Sequence, residues 1–184
     1  MEYKLERLSR RTVLEGTVVD FCKDTVRLPD GVCQEWDFIH HKKGGGACVV
    51  PVLSDGRVLV IRQSRPAIGQ ETLELPAGAR ERPDEDPAVT AMRELHEETG
   101  YEADSLQFLT RLQTADAWCD ESTDVFLAEN IKAKGSQELD EAEAISVEIH
   151  TLDELLDMIF AGKIQDAKTV AGLTAYAVWK SCRT

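Results

Sequence analysis

The chain has 184 residues, of which 42% are hydrophobic and 30% are charged, as expected for one globular domain or a domain with a small appendage. Its formal net charge of −13 argues against a nucleic-acid surface or an anionic membrane as the binding partner. An anionic substrate would therefore need local cations, either bound ions or basic side chains.

The five cysteines are scattered and contain no CxxC pair. This pattern predicts a reduced, cytoplasmic protein and argues against a disulfide framework or a zinc site. The N-terminal segment MEYKLERLSRR lacks the apolar core of a secretory signal, and no apolar run approaches the length that spans a membrane. We therefore expect no membrane partner.

The first third of the chain alternates apolar and polar residues, as strands do, in the segments RTVLEGTVVDF, DTVRLPDG and VCQEWDFIHH. Asp30-Gly31 within LPDG predicts a hairpin turn. The following KKGGG segment predicts a hinge centred on Gly45, which could separate an N-terminal sheet from the rest of the chain. ACVVPVL and RVLVIRQ then predict a second hairpin around Ser54-Asp55-Gly56, and ETLELPAG predicts a short strand running into a glycine loop.

Residues 86–99 predict a helix with both ends marked. Asp86 is a good N-cap, Pro87 suits the first helical position, and Gly100 suits the left-handed residue that ends a helix. Three strands follow, in SLQFLTRLQT, TDVFLAENI and ISVEIH. A capping box of Thr151 with Glu154 opens a helix in TLDELLDMIFAG, and a last amphipathic helix covers residues 169–182. This mixture of elements predicts an α+β fold.

Glu94, Glu97 and Glu98 fall within an arc of roughly 100° on the predicted helix, opposite its apolar residues, so this acidic face is expected to open outward. A solvated helix face is the plain interpretation. The alternative is a divalent cation, because the cluster lies near the helix C-terminus, where the macrodipole disfavours negative charge. Carboxylates at this spacing can meet around Mg²⁺, and the preceding loop, LPAGARERPDEDP, could approach a ligand closely.

GARERPDEDPAVTAMRELHEETGY resembles the signature of the Nudix hydrolases, glycine–x5–Glu–x7–Arg-Glu–apolar–x-Glu-Glu-x-Gly–apolar. The stretch from Arg93 to Tyr101 matches without a gap. Counting back from Arg93 gives Glu85 as the glutamate of this motif, whereas counting forward from Gly78 gives Asp84. We interpret the difference as a one-residue insertion in the loop, with Gly78 and Glu85 as the motif residues.

RQSRPAIGQETLELPAG and GKIQDAKTVAGL resemble the ADP-ribose pyrophosphatase branch of that family, and the similarity runs from about residue 12 to 178. The resemblance implies an α/β/α sandwich with a mixed sheet over residues 46–184. It also implies an N-terminal antiparallel sheet over residues 1–45 that completes a swapped homodimer. The implied reaction is hydrolysis of a nucleoside diphosphate derivative, with ADP-ribose and water giving AMP and ribose 5-phosphate.

The resemblance also implies a metal site. Glu94 and Glu98 are expected to bind Mg²⁺, with Mn²⁺ as an alternative, together with the backbone carbonyl of Ala77. Glu97 is expected either to bind the metal or to support its ligands. Arg93 lies one helical turn before Glu97 and is expected to hold a carboxylate in place, an exposed ion pair being the alternative.

Relatives of this branch carry a catalytic glutamate on a loop after the motif, near a Ser-Pro-Gly stretch. The corresponding TADAWCDESTDVF has neither proline nor glycine, and Asp116 takes the place of the proline. Glu121 is the first candidate for the catalytic base or an additional metal ligand, and Asp120 is the second. A solvated loop acid is the alternative for both.

Arg65 is expected to grip a substrate phosphate, and Arg62 is a further candidate that could also be a surface residue. Trp36 resembles a tryptophan that stacks on adenine in some members, and packing is its alternative role. His40 and His41 are adjacent on a predicted strand and would point to opposite faces, which argues against a metal pair.

Two other functions stay open. The altered TADAWCDE loop is compatible with another nucleotide sugar, such as GDP-mannose, as the substrate. A non-catalytic module that senses ADP-ribose is the alternative from a different class. It is disfavoured because the glutamates of the motif are intact and the chain has no room for a basic winged domain.

Overall fold

A three-stranded antiparallel sheet forms the N-terminal part of the protein in the computed structural model, which describes residues 4–139, 141 and 144–183. Its strands are β1 (Glu6–Glu15), β2 (Val19–Arg27) and β3 (Cys33–His41). The predicted turn at Asp30 is confirmed, because its carboxylate accepts the Val32 N–H at 3.0 Å between β2 and β3.

RTVLEGTVVDF was expected to be one strand, and this prediction is wrong. The chain turns between β1 and β2, where the Gly16 N–H donates to the Asp20 side chain at 3.1 Å. A Cβ at Gly16 would lie 2.3 Å from the Val19 carbonyl oxygen. The apolar alternation on both sides of this tight turn concealed it in the sequence.

The central sheet of the described chain has seven strands, of which β4 and β10 are parallel and the other neighbours antiparallel. The predicted mixed sheet is therefore confirmed. In chain order the strands of this sheet and of a small additional pair are β4 (Gly45–Val52), β5 (Val58–Arg65), β6 (Gln70–Glu74), β7 (Ala77–Ala79), β8 (Tyr101–Glu102), β9 (Gln107–Gln113), β10 (Ser122–Glu129), β11 (Lys132–Ala133) and β12 (Ile145–His150). The central order is β12-β5-β4-β10-β9, with β6 on β5 and β7 on β4, while β8 pairs with β11.

Helices cover both faces of the central sheet. α1 (Pro87–Thr99) packs on one face, and α2 (Leu152–Phe160) and α3 (Ala167–Ser181) pack on the other. Strands β4 and β5 supply buried residues to both sides, as their continuous apolar runs require. The predicted α/β/α sandwich is confirmed.

The helix ends follow the capping predictions. The Asp86 side chain accepts the Ala88 N–H at 3.0 Å, and Gly100 ends α1 with φ 73°. The Thr151–Glu154 capping box is present at the start of α2. Helix α3 begins at Ala167, before the predicted residue 169, because Asp166 acts as its N-cap.

Gly45, the predicted centre of a hinge, lies in a strand. It is the first residue of β4 and is buried, and the turn lies at residues 42–44. Its φ of 118° and a hypothetical Cβ only 1.9 Å from the Ser122 carbonyl oxygen explain why glycine is needed where β4 approaches β10. The division of the chain into domains near residue 45 stays a prediction. Among the helices in the described residues, none is long and apolar enough to cross a membrane.

Candidate active site

The acidic face of α1 lies beneath β7. Glu94 and Glu98 are only 8% and 3% exposed, which corrects the expectation that this face opens to solvent. A Cβ on Gly78 would lie 2.0 Å from Glu94 Oε1, so only a glycine allows β7 to approach this carboxylate so closely. Glu98 Oε2 accepts the Ala77 N–H at 2.8 Å. Two carboxylates are therefore held under the backbone of β7.

Arg93 holds the acidic face together. Its Nη1 donates to Glu94 Oε1 at 2.6 Å and to Glu97 Oε2 at 2.9 Å, and its Nη2 donates to the Ala79 carbonyl at 3.0 Å. Burial opposes the charge of Arg93, but the two carboxylates outweigh this effect and raise its pKa. Arg93 thus contacts two carboxylates and the β7 backbone at once, and its role in holding a metal-binding carboxylate stays a prediction.

Glu85 stabilises the loop between β7 and α1. Its Oε2 accepts the Glu81 N–H at 2.6 Å and the Thr90 hydroxyl at 3.0 Å. Asp84, the competing match to the motif, instead has an 85% exposed side chain that lies 3.5 Å from Arg82. This geometry supports Glu85 as the motif glutamate and a one-residue insertion in the loop.

A basic cluster lies beside the acidic face. Arg65 donates to both oxygens of Glu74 at 2.7 Å. The Lys168 ammonium contacts Glu74 as well and lies 3.0 Å from Asp166 Oδ1. Two cations therefore share Glu74, which fixes Arg65 at the end of β5 and Lys168 at the start of α3.

The pKa of Glu74 reflects this network. Burial of the carboxyl would raise its pKa, but hydrogen bonds and charges from Arg65 and Lys168 lower it from 4.5 to about 2. Because the folded pKa lies below the unfolded one, the stabilisation is present above about pH 4.5 and is lost as the pH falls towards 2. At about 1.4 kcal/mol for each pKa unit, it amounts to about 3 kcal/mol near neutral pH.

We expect Glu74→Gln to lower the free energy of unfolding by about 3 kcal/mol at pH 7, because the buried carboxylate charge is lost. The difference from wild type should shrink as the pH falls from 4.5 to 3. Urea unfolding at several pH values measures it, with Glu71→Gln at the exposed start of β6 as the matched control. A difference that stays constant over this pH range would contradict the assignment.

Glu121 and Asp120 are adjacent, but they face different surroundings. Glu121 Oε2 accepts the Thr114 hydroxyl at 2.7 Å, and both residues line a cavity with Lys168. Asp120 accepts the His41 N–H at 2.8 Å, and its Oδ2 lies 2.7 Å from His40 Nδ1. Burial opposes ionisation of Asp120, but these contacts outweigh it and lower the pKa of its carboxyl.

Two adjoining cavities bring most of the predicted residues together. One, of about 480 Å³, is lined by the three glutamates of α1 together with Arg93, Lys43 and Gln63. The other, of about 420 Å³, is lined by Glu121, Thr114 and Lys168. Both cavities share Arg65 and the β7 backbone from Ala77 to Ala79. The three glutamates of α1 thus lie in one cavity and Glu121 and Lys168 in the other, while Arg65 reaches both.

The structure does not bring Arg62 into this site. Adjacent strand residues point to opposite faces, so Arg62 projects away from Gln63, which lines the cavity of the glutamates. Its Nε donates instead to Glu148 on β12 at 2.6 Å. Trp36 lies on β3 and is 37% exposed, with its indole N–H donating to Gln34 at 3.2 Å. Adenine stacking and packing both stay predictions for Trp36.

The NUDIX domain model matches residues 42–173. The chain belongs to the Nudix family. It is 34% identical over 172 residues to the ADP-ribose pyrophosphatase of Bacillus subtilis (strain 168), covering 93% of this chain and 89% of that protein. The predicted family resemblance is confirmed.

Two further comparisons cover nearly the whole chain. The methanol dehydrogenase activator of Bacillus methanolicus is 32% identical over 169 residues, covering 91% of this chain and 90% of that protein. A solved structure described as an ADP compounds hydrolase aligns with a TM-score of 0.84 at 22% identity, covering 98% of this chain and 96% of that one. At this identity the structural match supports the fold.

Nudix hydrolases generally use a divalent metal ion, and the donor set at β7 suits one chemically. Three carboxylates and a backbone carbonyl are hard oxygen donors of the kind that Mg²⁺ prefers. In the part of the chain that the structure describes, no group of three or more His, Cys, Asp or Glu side chains is already arranged around a single point. Arg93 and the Ala77 N–H each contact an oxygen of these glutamates, which holds the carboxylates in place around β7.

Lys168 and His41 are among the residues of this site that sequence reasoning missed. Lys168 lies in the GKIQDAKTVAGL segment, which marked the family branch without indicating a role for the lysine. Its contact with Glu74 joins positions 94 residues apart, so only the fold reveals it. His41 was judged only as half of a metal pair, although its side chain lies 3.9 Å from Glu121.

Proposed function

We propose that this Nudix protein hydrolyses the pyrophosphate bond of ADP-ribose or an ADP-sugar, giving AMP and a sugar phosphate. The observation that carries the proposal is that the carboxylates of α1 and the basic groups of Arg65 and Lys168 line two cavities that meet at β7. A metal-bound diphosphate needs both kinds of group. The Bacillus subtilis relative, whose name describes this activity, supports the same substrate class.

Glu94, Glu97 and Glu98 would hold the metal ion, together with the Ala77 carbonyl, and we propose Mg²⁺ with Mn²⁺ as an alternative. When bound, the ion would neutralise phosphate charge and make water a better nucleophile. Arg93 keeps the Glu94 and Glu97 carboxylates oriented before the ion arrives, because it contacts both of them and the β7 backbone.

Arg65 and Lys168 would attract the diphosphate. Their cationic groups lie at the cavity that Glu121 lines, and Glu74 fixes both in position. The formal charge of −13 on the chain would repel an anionic substrate, and this local positive charge would offset that repulsion at the site. Arg65 donates to Glu74 through Nε and Nη2, which leaves its Nη1 to meet a phosphate oxygen.

Glu121 would accept the proton of the attacking water. Its carboxylate lines the cavity on the far side of β7 from the metal-binding glutamates and is oriented by the Thr114 hydroxyl. General-base catalysis of this kind contributes about 10²- to 10⁴-fold to a rate. Asp120 is less suited, because His41, His40 and Arg10 surround its carboxylate.

A panel of nucleotide sugars with Mg²⁺ or Mn²⁺ tests this function. We expect ADP-ribose and ADP-sugars to be cleaved fastest, with AMP and a sugar phosphate as products. Preferential cleavage of GDP-mannose would move the substrate assignment to that alternative. Binding of ADP-ribose without cleavage of any diphosphate compound would overturn the proposal that the protein is an enzyme, and would favour a non-catalytic module that senses ADP-ribose.

We further propose that the protein is a cytoplasmic homodimer joined through the N-terminal sheet. β1 is exposed along nearly its whole length, which is unusual for a strand in an isolated monomer. Apolar residues exposed on or next to this sheet are Leu5, Leu8, Val13, Leu14, Val18, Val19, Val32 and Trp36. A second copy of the chain would cover them, and Trp36 would then pack in the interface or reach an adenine.

Light scattering at micromolar concentration measures the mass, and we expect that of two chains. A mass of one chain would overturn the dimer. The proposed location fits the five cysteines, which are all free thiols. Cell fractionation tests the location, and recovery of the protein outside the cytoplasmic fraction would contradict it.

A further inference from the structure

Glu121 lies between two polar side chains from different parts of the fold. On one side, the Thr114 hydroxyl donates to Oε2 at 2.7 Å. On the other side, His41 Nε2 lies 3.9 Å from Oε1. His41 is only 5% exposed, so its ring cannot simply swing into solvent. The carboxylate therefore has a fixed polar neighbour at each oxygen.

The tautomer of His41 follows from its second contact. The Gly45 N–H donates to His41 Nδ1 at 2.9 Å, so Nδ1 is an acceptor and carries no proton. In a neutral imidazole the proton then lies on Nε2, the nitrogen that faces Glu121. At 3.9 Å this N–H attracts the carboxylate without yet forming a hydrogen bond, and such contacts often shorten when substrate binds.

The backbone around this contact is also tied together. The Ile39 N–H donates to the Trp118 carbonyl at 2.7 Å, and Asp120 Oδ1 accepts the His41 N–H at 2.8 Å. The end of β3 and the loop that carries Glu121 thus hold each other in register. The other nitrogen of the imidazole, Nδ1, contacts Gly45. Gly45 is the first residue of β4 and also lines the cavity.

We propose that His41 is a positioning residue that aims the Glu121 carboxylate into the cavity. This inference rests on the proposed function, since it assigns His41 an effect on catalysis through Glu121. The Nδ1 contact with Gly45 fixes the tautomer and the ring plane. The Nε2 proton then restricts Oε1 of Glu121, while Thr114 restricts Oε2.

Two substitutions separate the contacts of His41. Glutamine places an amide N–H near the position of Nε2 and keeps the donor towards Glu121. Asparagine is shorter and can replace only the acceptor for Gly45.

Misplacement of a catalytic group by about 1 Å can lower a rate by up to about 100-fold. We expect His41→Asn to lower kcat for ADP-ribose by about 10- to 100-fold with KM changed less than about threefold, and His41→Gln to recover most of kcat.

His150→Asn serves as the matched control. His150 lies on β12 beside Glu148. β12 is at the opposite edge of the central sheet from β9 and β10, whose connecting loop carries Glu121, so His150→Asn should keep the wild-type kcat. Thermal unfolding of every variant reports whether it folds. If His41→Asn does not fold, His41→Phe, which keeps the bulk of the ring but has no N–H towards Glu121, takes its place in the same measurements.

A double-variant cycle with Glu121→Gln distinguishes positioning from general structural support. If His41 acts through Glu121, adding His41→Asn to Glu121→Gln should change kcat less than about twofold. Independent, multiplicative losses would overturn the inference while leaving the enzyme intact. An inactive wild type would instead overturn the proposed function. A Glu121→Gln variant with wild-type kcat would show that Glu121 is not the base, and the proposed role of His41 would fail with it.

Discussion

Replacing Glu98 with glutamine is expected to lower kcat by more than about 100-fold while leaving the protein folded. Loss of a residue that only supports a metal ligand costs about 10- to 100-fold, so loss of a ligand charge should cost more. The fold should survive because the amide oxygen of glutamine can still accept the Ala77 N–H that Glu98 accepts at 2.8 Å. The substitution thus removes charge and keeps shape.

Three measurements on Glu98→Gln separate the possibilities: kcat with Mg²⁺, the midpoint of thermal unfolding, and metal binding by calorimetry with a non-cleavable ADP-ribose analogue. Glu102→Gln is the control, because Glu102 pairs with Lys134 away from the cavity. Turnover of Glu98→Gln near that of wild type would contradict the assignment of Glu98 as a metal ligand. Lost turnover with unchanged metal affinity would assign Glu98 a role other than ligand.

Local signals were enough to predict most of the fold. Asp86 and Gly100 mark the ends of α1 because caps act through neighbouring backbone groups, and the prediction needs no tertiary information. Hairpin turns at Asp30 and Asp55 have the same local origin. The tight turn at Gly16 was missed because apolar alternation continues on both sides of it.

Burial of the acidic face was not predictable from the spacing of its residues. Helical periodicity places Glu94 and Glu98 on one side of α1, but the same pattern describes a solvated face. The close approach of Gly78 decides between them, and it depends on β7 pairing with β4. The side of the sheet that Arg62 faces depends likewise on the register of β5, which the sequence pattern of a fully buried strand does not reveal.

Long-range polar contacts account for the rest of what the sequence missed. Lys168 and His41 reach the site through partners on other elements, Glu74 and Glu121. A lysine in the first turn of a helix and a histidine at the end of a strand are common in proteins, and most of them have no such partners. Their significance arises only when the fold joins β6 with α3 and β3 with the loop before β10.

For the two acidic residues of that loop, we expect Glu121→Gln to lower kcat by at least about 100-fold, and Asp120→Asn to act mainly on stability. Glu121 is in the cavity, and removal of its charge removes the proton acceptor. Asp120 holds β3 against the loop through His41, His40 and Arg10, so its substitution should lower the free energy of unfolding by about 1–3 kcal/mol.

The comparison requires kcat at saturating ADP-ribose and Mg²⁺, together with urea unfolding of both variants. Asparagine can still accept the His41 N–H, so Asp120→Asn should remain folded and keep most of its turnover. The opposite ranking of kcat would move the base to Asp120, since its carboxylate would then act despite its three neighbours. Equal, small effects of both substitutions would mean that neither acid takes the proton, because loss of a general base cannot leave kcat within a few-fold of wild type.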